Sequence, residues 1–162
     1  MNTVIRDSVQ RTRRQGGFVL VSILVALSAL GALAGGHLLM MRGGAPRPAA
    51  SEFGLGPRTS SAGLYTATLV PTEPLQRRKL QQVQVAITDP QGEPVQNAQI
   101  TIDGGMPQHG HGLPTRPRVT RHIGNGVYDI EGVRFNMGGW WEFTLAIAAA
   151  SGTDRVTFNL SL

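Results

Sequence analysis

Cysteine is absent from the 162-residue sequence, which excludes disulfides, thiolate metal sites and thiol catalysis. Any site for a soft metal ion must therefore use methionine and histidine. Charged residues are also scarce, at 15% of the chain, whereas the 21 glycines and 10 prolines are many for this length. This composition favours a turn-rich β domain over a helical bundle.

An excess of basic charge is missing from the larger, C-terminal part of the chain. The net charge is +5, but residues 1–58 hold seven arginines against Asp7 and Glu52, while residues 59–162 hold eight Lys or Arg and eight Asp or Glu. The C-terminal part therefore lacks the excess charge that neutralises phosphates. We do not expect nucleic acid among the partners.

Motifs of catalysis are missing as well. The sequence contains no Ser/His/Asp order, no Walker loop and no dinucleotide-binding glycine pattern. Asp129 and Glu131 lie two residues apart on one strand face, but paired glycosidase carboxylates must face each other across a substrate. We expect both carboxylates to be solvated, and we predict that the protein is not an enzyme.

A long uncharged run lies near the N-terminus. Residues 18–41, FVLVSILVALSALGALAGGHLLMM, exceed the roughly 20 residues that span a bilayer as a helix. Residues 1–17 are polar and basic, which predicts a cytoplasmic N-terminus. Residues 18–41 are therefore predicted to be a single-pass transmembrane helix in the inner (cytoplasmic) membrane, with the C-terminal domain in the periplasm. A cleaved secretory signal is the alternative, because Ala32-Leu33-Ala34 has the small-x-small pattern of a cleavage site.

The remainder divides into a linker and a β domain. Residues 42–61 are rich in Gly, Pro, Ala and Ser and are predicted to form a flexible linker. Residues 62–162 show apolar and polar residues in alternation, which is typical of strands with one buried face. Turn motifs such as Asp89-Pro90-Gln91-Gly92 and Gly124-Asn125-Gly126 separate these segments. We therefore predict an all-β fold, an immunoglobulin-like antiparallel β-sandwich of about seven strands.

The alternation also assigns faces to two aromatic residues and one histidine. Trp141 is in phase with the apolar residues that follow it, so it is predicted to lie in the core. Adjacent strand residues point to opposite faces, so Trp140 is expected to be exposed and is a candidate for contacts. By the same alternation, His122 is expected on the exposed face of its strand, opposite Val119.

The segment GGMPQHGHGLPTRP, residues 104–117, has few residues that build a core. His109 and His111 are two residues apart, which in an extended segment places both imidazoles on one side. If this loop meets the FNMGGW loop, the thioethers of Met106 and Met137 join them. Thioether plus imidazole suits Cu(I) best and Cu(II) next. The alternative is a loop without metal, in which the histidines bond to backbone carbonyls and Met106 packs against the core.

Three segments carry a resemblance to a known family. GEPVQNAQITIDGGMPQHGHGLPTRPRVT, GNGVYDIEGVRFNMGGWWEFTLAI and DRVTFNL together resemble the YtkA-like domain of exported bacterial proteins, akin to FixH-like membrane proteins. The resemblance covers roughly residues 64–162. It implies an immunoglobulin-like sandwich on a membrane-anchored or exported chain, and copper handling or respiratory-oxidase maturation as its setting. The family's motif residues fall here on Met106, His109, His111, Met137 and Trp140.

Two functional hypotheses follow. In the first, a non-catalytic, membrane-anchored domain binds copper through Met106, His109, His111 and Met137, with the Trp140 indole covering the ion. Its partner is expected to be an envelope copper protein or an oxidase assembly factor. In the second, the domain is an immunoglobulin-like structural or protein-interaction module without a metal, and it docks a partner through Trp140.

Overall fold

The structure, a computed structural model, describes residues 45–162. The basic segment 1–17, the predicted transmembrane segment 18–41 and the first residues of the predicted linker lie outside this range. Among the described residues, no helix combines the length and apolar character that crossing a membrane requires.

Residues 45–162 form nine β-strands and one short 3-10 helix, Ala50–Glu52. Two strands, β1 and β5, have only two residues each, so seven longer strands remain, as predicted. The strands are β1 Arg58–Thr59, β2 Thr66–Pro71, β3 Gln81–Thr88, β4 Gln99–Met106, β5 His111–Gly112, β6 Arg118–Gly124, β7 Val127–Val133, β8 Trp140–Ala149 and β9 Gly152–Ser161.

The strands form two antiparallel sheets. One sheet has the order β1-β2-β3-β7-β6 and the other the order β5-β4-β8-β9. The prediction of an all-β sandwich with antiparallel sheets is therefore confirmed. Without β1 and β5, the two strand orders correspond to the ABED and CFG sheets of an immunoglobulin constant-type domain.

The core lies between the sheets and follows the period-two pattern of the sequence. On β8, Trp141, Phe143 and Leu145 are buried. On the paired strand β9, Val156 lies beside Leu145 and Phe158 lies beside Phe143, on the same face of the sheet. Their side chains project to the same side because successive residues of a strand alternate between the two faces. The Phe135 ring packs edge-on against Trp141, with 5.2 Å between ring centroids.

The two ends of the sandwich differ in their loops. We call residues 72–80, 107–118 and 134–139 the Met/His end, since these segments meet where β4 ends and β8 begins. We call residues 60–65, 89–98, 124–126 and 150–151 the turn end. A backbone bridge between Arg77 and Phe135 joins two segments of the Met/His end.

Part of the predicted linker is attached to the sandwich. Phe53 forms a backbone bridge with Asn159 of β9, and the N–H of Gly54 donates to the Asn159 carbonyl at 2.9 Å. Further along, β1 pairs with β2. An extended Gly- and Pro-rich chain has no periodicity to reveal it, but its backbone still pairs with a strand. The sandwich therefore begins before residue 62.

The structure corrects two predicted exposures on β6 and β7. A β-bulge between Val119 and Arg121 adds one residue to β6, which turns His122 inward, where its ring stacks on Tyr128 at 4.4 Å. The Nε2 atom of His122 is buried and has no hydrogen-bond partner among the described residues. Asp129, which we expected to be solvated, is 2% exposed and receives two hydrogen bonds from Arg121, at 2.7 and 2.9 Å.

Candidate metal-binding cleft

The first loop of the cleft begins where β4 ends at Met106. The Met106 carbonyl accepts hydrogen bonds from the N–H groups of His109, at 3.0 Å, and Gly110, at 2.9 Å. These bonds reverse the chain, and β5 then returns along β4, with His111 opposite Met106. Gly105 permits this close approach, because a Cβ there would lie 2.6 Å from the His111 carbonyl oxygen. The tight turn thus fixes the backbone on both sides of the two histidines.

The second loop connects Val133 to β8 and carries Met137. Its backbone is fixed from two sides. The Trp141 indole N–H donates to the Met137 carbonyl at 3.0 Å, and Gly139 exchanges two backbone hydrogen bonds with Leu162, at 2.8 and 3.1 Å. The Met137 side chain itself is 40% exposed. A rigid backbone therefore presents an accessible thioether.

The two loops meet in a cleft of about 300 Å³. Its lining residues are His111, Gly112, Pro114, Asn136, Met137 and Trp141. His109 stands beside the cleft, with its ring centroid 6.4 Å from that of His111 and the two planes within 11° of parallel. The structure thus brings His111 and Met137 to one cleft from distant parts of the chain, with His109 close by.

Met106 differs from the other predicted ligands. It is 2% exposed and belongs to the hydrophobic core, and its terminal methyl lies 3.0 Å from where a Cβ on Gly139 would stand. Met106 does not line the cleft. Its surroundings match the packing role given above as the alternative for this residue.

The predicted exposure of Trp140 is wrong. Trp140 points away from the core between the sheets, as its position next to Trp141 requires, yet only 4% of it is exposed. Its indole N–H donates to Asn159 Oδ1 at 2.9 Å, and the Asn159 backbone carries the bridge to Phe53. The indole that lines the cleft is that of Trp141. The alternation assigned Trp141 to the core, but gave no sign that the same ring also forms the wall of the cleft.

The donors in the cleft are not committed to internal bonds. In residues 45–162, the side chains of His109 and His111 are exposed, and neither takes part in a hydrogen bond or ion pair. The described part of the chain contains no cluster of three or more His, Cys, Asp or Glu side chains suited to a metal. A site with three protein donors at this cleft would therefore include the thioether of Met137.

The carboxylates with shifted pKa values lie outside the cleft. Hydrogen bonds from Arg121 lower the pKa of Asp129, against the opposing effect of burial. A hydrogen bond from Ser60, together with backbone N–H groups, lowers the pKa of Asp154. The hydrogen bond from Lys79 lowers the pKa of Glu73. Asp129 and Asp154 are buried and bonded within the fold, whereas Glu73 pairs with Lys79 on the surface, and none of the three lines the cleft.

A larger cleft, of about 560 Å³, lies between β4 and the segment that leads into β6. Ile100, Asp103, Leu113, Arg116 and Arg118 are among its lining residues, and it contains neither His nor Met. Because it holds no soft donor, the smaller cleft remains the better candidate for a soft metal ion.

Comparison with known families agrees with this architecture. A family model described as YtkA-like matches residues 59–146. The chain belongs to the YtkA-like family. Comparisons with curated proteins and with solved structures find no significant match. The matched part of this YtkA-like domain contains both loops of the cleft and ends within β8, so β9 lies beyond it.

The YtkA-like domain thus presents one thioether and two imidazoles on neighbouring loops. Neutral imidazole and thioether groups bind soft, singly charged ions without adding charge. The shared cleft of His111 and Met137 is the geometric feature that supports such binding.

Proposed function

We propose that this protein is a membrane-anchored, exported YtkA-like domain that binds copper transiently and without catalysis, through His109, His111 and Met137. The observation that carries the proposal is the cleft shared by His111 and Met137, two soft donors from loops 26 residues apart in the numbering. His109 supplies a third donor from the same turn.

The chemistry of the donors favours Cu(I). The cleft offers one imidazole and one thioether, with the His109 imidazole beside it, and none of its lining residues is a carboxylate. Zinc sites usually add cysteine or a carboxylate to histidine, whereas thioether donors select Cu(I). The exposure of the donors suits an ion that arrives from one protein and leaves to another.

Two neighbouring residues take supporting roles in this proposal. Trp141 lines the cleft, so its indole takes the place predicted for Trp140 and stabilises a bound cation. Trp141 also positions Met137 through the hydrogen bond from its indole N–H. Met106 supports the turn from within the core and is not needed as a ligand.

The cellular location in this proposal is inferred from the sequence. Residues 18–41 anchor the chain in the inner membrane, and the sandwich lies in the periplasm. An envelope copper protein or an oxidase assembly factor is the partner that fits an exposed, exchangeable copper site in that compartment.

The test is a titration of the full-length protein in detergent with Ag(I), and with Cu(I) under reducing conditions, each against a competing chelator. Sub-micromolar binding of one ion, with quenching of tryptophan fluorescence, is expected. The double variant His109→Ala/His111→Ala and the single variant Met137→Leu should each weaken binding at least tenfold. Met106→Leu is the matched control, because it removes a buried sulfur while keeping its apolar volume, and it should bind like the wild type.

Equal binding by the wild type and the double histidine variant contradicts the proposal. If neither the wild type nor the variants bind Ag(I), and a partner is recovered from envelope extract whether or not a chelator is present, the domain is a protein-interaction module without a metal.

A further inference from the structure

The zero net charge of residues 59–162 conceals a separation of charge between the two ends of the sandwich. The segments of the Met/His end carry six basic side chains against the carboxylate of Glu73, and Glu131 lies opposite Arg118 on the neighbouring strand. The basic residues are Arg77, Arg78, Lys79, Arg116, Arg118 and Arg134. The segments of the turn end carry Asp89 and Glu93 and no Lys or Arg. One end is therefore strongly basic and the other weakly acidic.

Most of these cations have no internal partner. Among the described residues, the ion pairs are Lys79–Glu73 and Arg121–Asp129. Arg77, Arg78 and Arg134 are exposed and pair with no described carboxylate. Their charge is available to a ligand outside the molecule, and at this density it favours an anionic surface.

Exposed apolar side chains gather at the same end. Four large hydrophobic residues of the described chain are exposed, and Leu80, at 63%, and Met137, at 40%, lie at the Met/His end. Val70 is next to it, at the end of β2, and only Ile123 is close to the turn end. Protein surfaces that insert into the headgroup region of a bilayer typically combine exposed apolar side chains with surrounding cations.

The basic loop is held in a defined conformation. Gln76 and Gln81 exchange two hydrogen bonds, of 2.6 and 2.9 Å, that close the loop between them. The N–H of Arg78 donates to the Phe135 carbonyl at 2.6 Å, and Arg78 has a left-handed φ of 62°. A non-glycine residue persists in this conformation only where its surroundings impose it, and such positions gather at functional sites. The backbone that carries the exposed Arg77 and Arg78 is therefore held in place.

The N-terminal segment reaches the sandwich in the half that carries the Met/His end. Phe53 meets β9 at Asn159, two residues before that strand ends, and the chain then runs toward the turn end, where the N–H of Ser61 bonds to the Arg155 carbonyl. Residues 42–52 lie between this point and the uncharged segment, and Ala50–Glu52 among them form the 3-10 helix. In the anchored arrangement, a tether of this length raises the effective concentration of the domain at its attachment.

From these observations, we propose that the Met/His end rests on an anionic lipid surface. The arginines of this end contact headgroup phosphates, and Leu80 enters the acyl boundary. The proposal rests on the anchored arrangement given under the proposed function. A lipid surface is favoured over an acidic protein because, in the anchored arrangement, the tether raises the effective concentration of the domain at the bilayer. The copper cleft then opens toward the membrane, where a membrane-embedded partner can reach it.

The absence of cysteine makes a direct test possible, since one introduced cysteine is a unique labelling site. Full-length Leu80→Cys, and the control Ala150→Cys at the turn end, are labelled with a fluorophore and reconstituted into vesicles. The vesicles contain phosphatidylcholine with or without phosphatidylglycerol, plus a trace of headgroup-proximal spin-labelled lipid as quencher. In anionic vesicles, quenching at position 80 should be at least threefold stronger than at position 150. Arg77→Glu/Arg78→Glu should abolish the difference, whereas Arg155→Glu should not.

Equal, weak quenching at both positions in anionic vesicles overturns this proposal, as does a difference that survives the double charge reversal. Added acidic envelope protein that protects position 80 from quenching by lipid also overturns it, in favour of a protein partner. Retention of the chain by neutral vesicles separately tests the anchor, and the Ag(I) titration tests the copper site. Failure of the lipid contact is therefore distinguishable from failure of the proposed function.

Discussion

The two ends of this sandwich differ in how many of their ring-bearing and charged side chains bond to the protein itself. At the turn end they bond to the protein itself: the Tyr65 hydroxyl donates to the Gly152 carbonyl at 2.6 Å, and the Tyr128 hydroxyl to the Val95 carbonyl at 2.7 Å. The Asp154 carboxylate accepts hydrogen bonds from the N–H groups of Ala62 and Leu64. At the Met/His end, the rings of His109 and His111 and most of the arginines make no such bond with the described residues.

This difference separates the residues that hold the fold from those available to ligands. Side chains that satisfy buried backbone groups cannot be removed without leaving those groups unpaired. Exposed side chains without internal bonds contribute little to the free energy of unfolding, so their removal changes binding more than folding. The predictions below test this division, beginning with the largest expected effect.

Trp140→Ala is expected to lower the free energy of unfolding by about 3–5 kcal/mol, the usual cost of removing a buried aromatic side chain. The reason is that Trp140 is 4% exposed and its indole bonds to Asn159. Urea unfolding followed by circular dichroism measures it. Leu80→Ala, at a position 63% exposed, is the control and should change stability by less than about 0.5 kcal/mol. A similarly small effect of Trp140→Ala would show that the Trp140 side chain is exposed rather than buried.

Tyr128→Phe is expected to cost about 1–3 kcal/mol, because it leaves two buried backbone groups without their partner. The Tyr128 hydroxyl donates to the Val95 carbonyl and accepts from the Ala98 N–H at 2.9 Å. Tyr65→Phe, which removes one hydrogen bond instead of two, should cost less. The same urea titration compares the two variants, and the reverse order would contradict this account of the turn end.

Acidification is expected to destabilise the domain through Asp129 and Asp154, whose pKa values are lowered in the folded state. A depressed folded pKa gives stability that is present above the unfolded pKa of about 3.9 and is lost as the pH falls through the folded value. The urea concentration at the midpoint of unfolding should therefore decrease as the pH is lowered below about 5. Asp154→Asn should flatten this dependence, and an unchanged slope would remove Asp154 from the explanation.

His109→Ala/His111→Ala is expected to change the free energy of unfolding by no more than about 0.5 kcal/mol, because both rings are exposed and unbonded within residues 45–162. The same variant should lose Ag(I) binding. Urea unfolding and the metal titration are measured on one preparation. A loss of stability above about 1 kcal/mol would show that these histidines hold the loop rather than a ligand.

Much of the fold could be predicted from the sequence, because the alternation of apolar and polar residues indicates which face of each strand is buried. Trp141, Phe143 and Leu145 face the core as their spacing predicts, and the turn at Gly124-Asn125-Gly126 connects β6 to β7. The sequence supports the meeting of the two loops only as a hypothesis, based on the soft donors that both contain; in the structure, His111 and Met137 line one cleft.

The predictions that were wrong or incomplete have physical causes that the alternation of apolar and polar residues does not contain. Alternation states which face Trp140 points to, but not whether another segment covers that face. A single bulge before Arg121 turned His122 inward, and a bulge leaves no periodic trace in the sequence. Spacing likewise did not show that Met106, at the end of β4, points between the sheets instead of into the cleft.

Trp141 belongs to both the core and the cleft. A ligand that binds against the Trp141 ring therefore stabilises the native state as a whole. A tightly bound ligand should raise the melting temperature of the domain in proportion to the logarithm of the ligand concentration. Thermal denaturation thus becomes an assay of occupancy that works with any candidate cargo, whether or not the natural one has been identified.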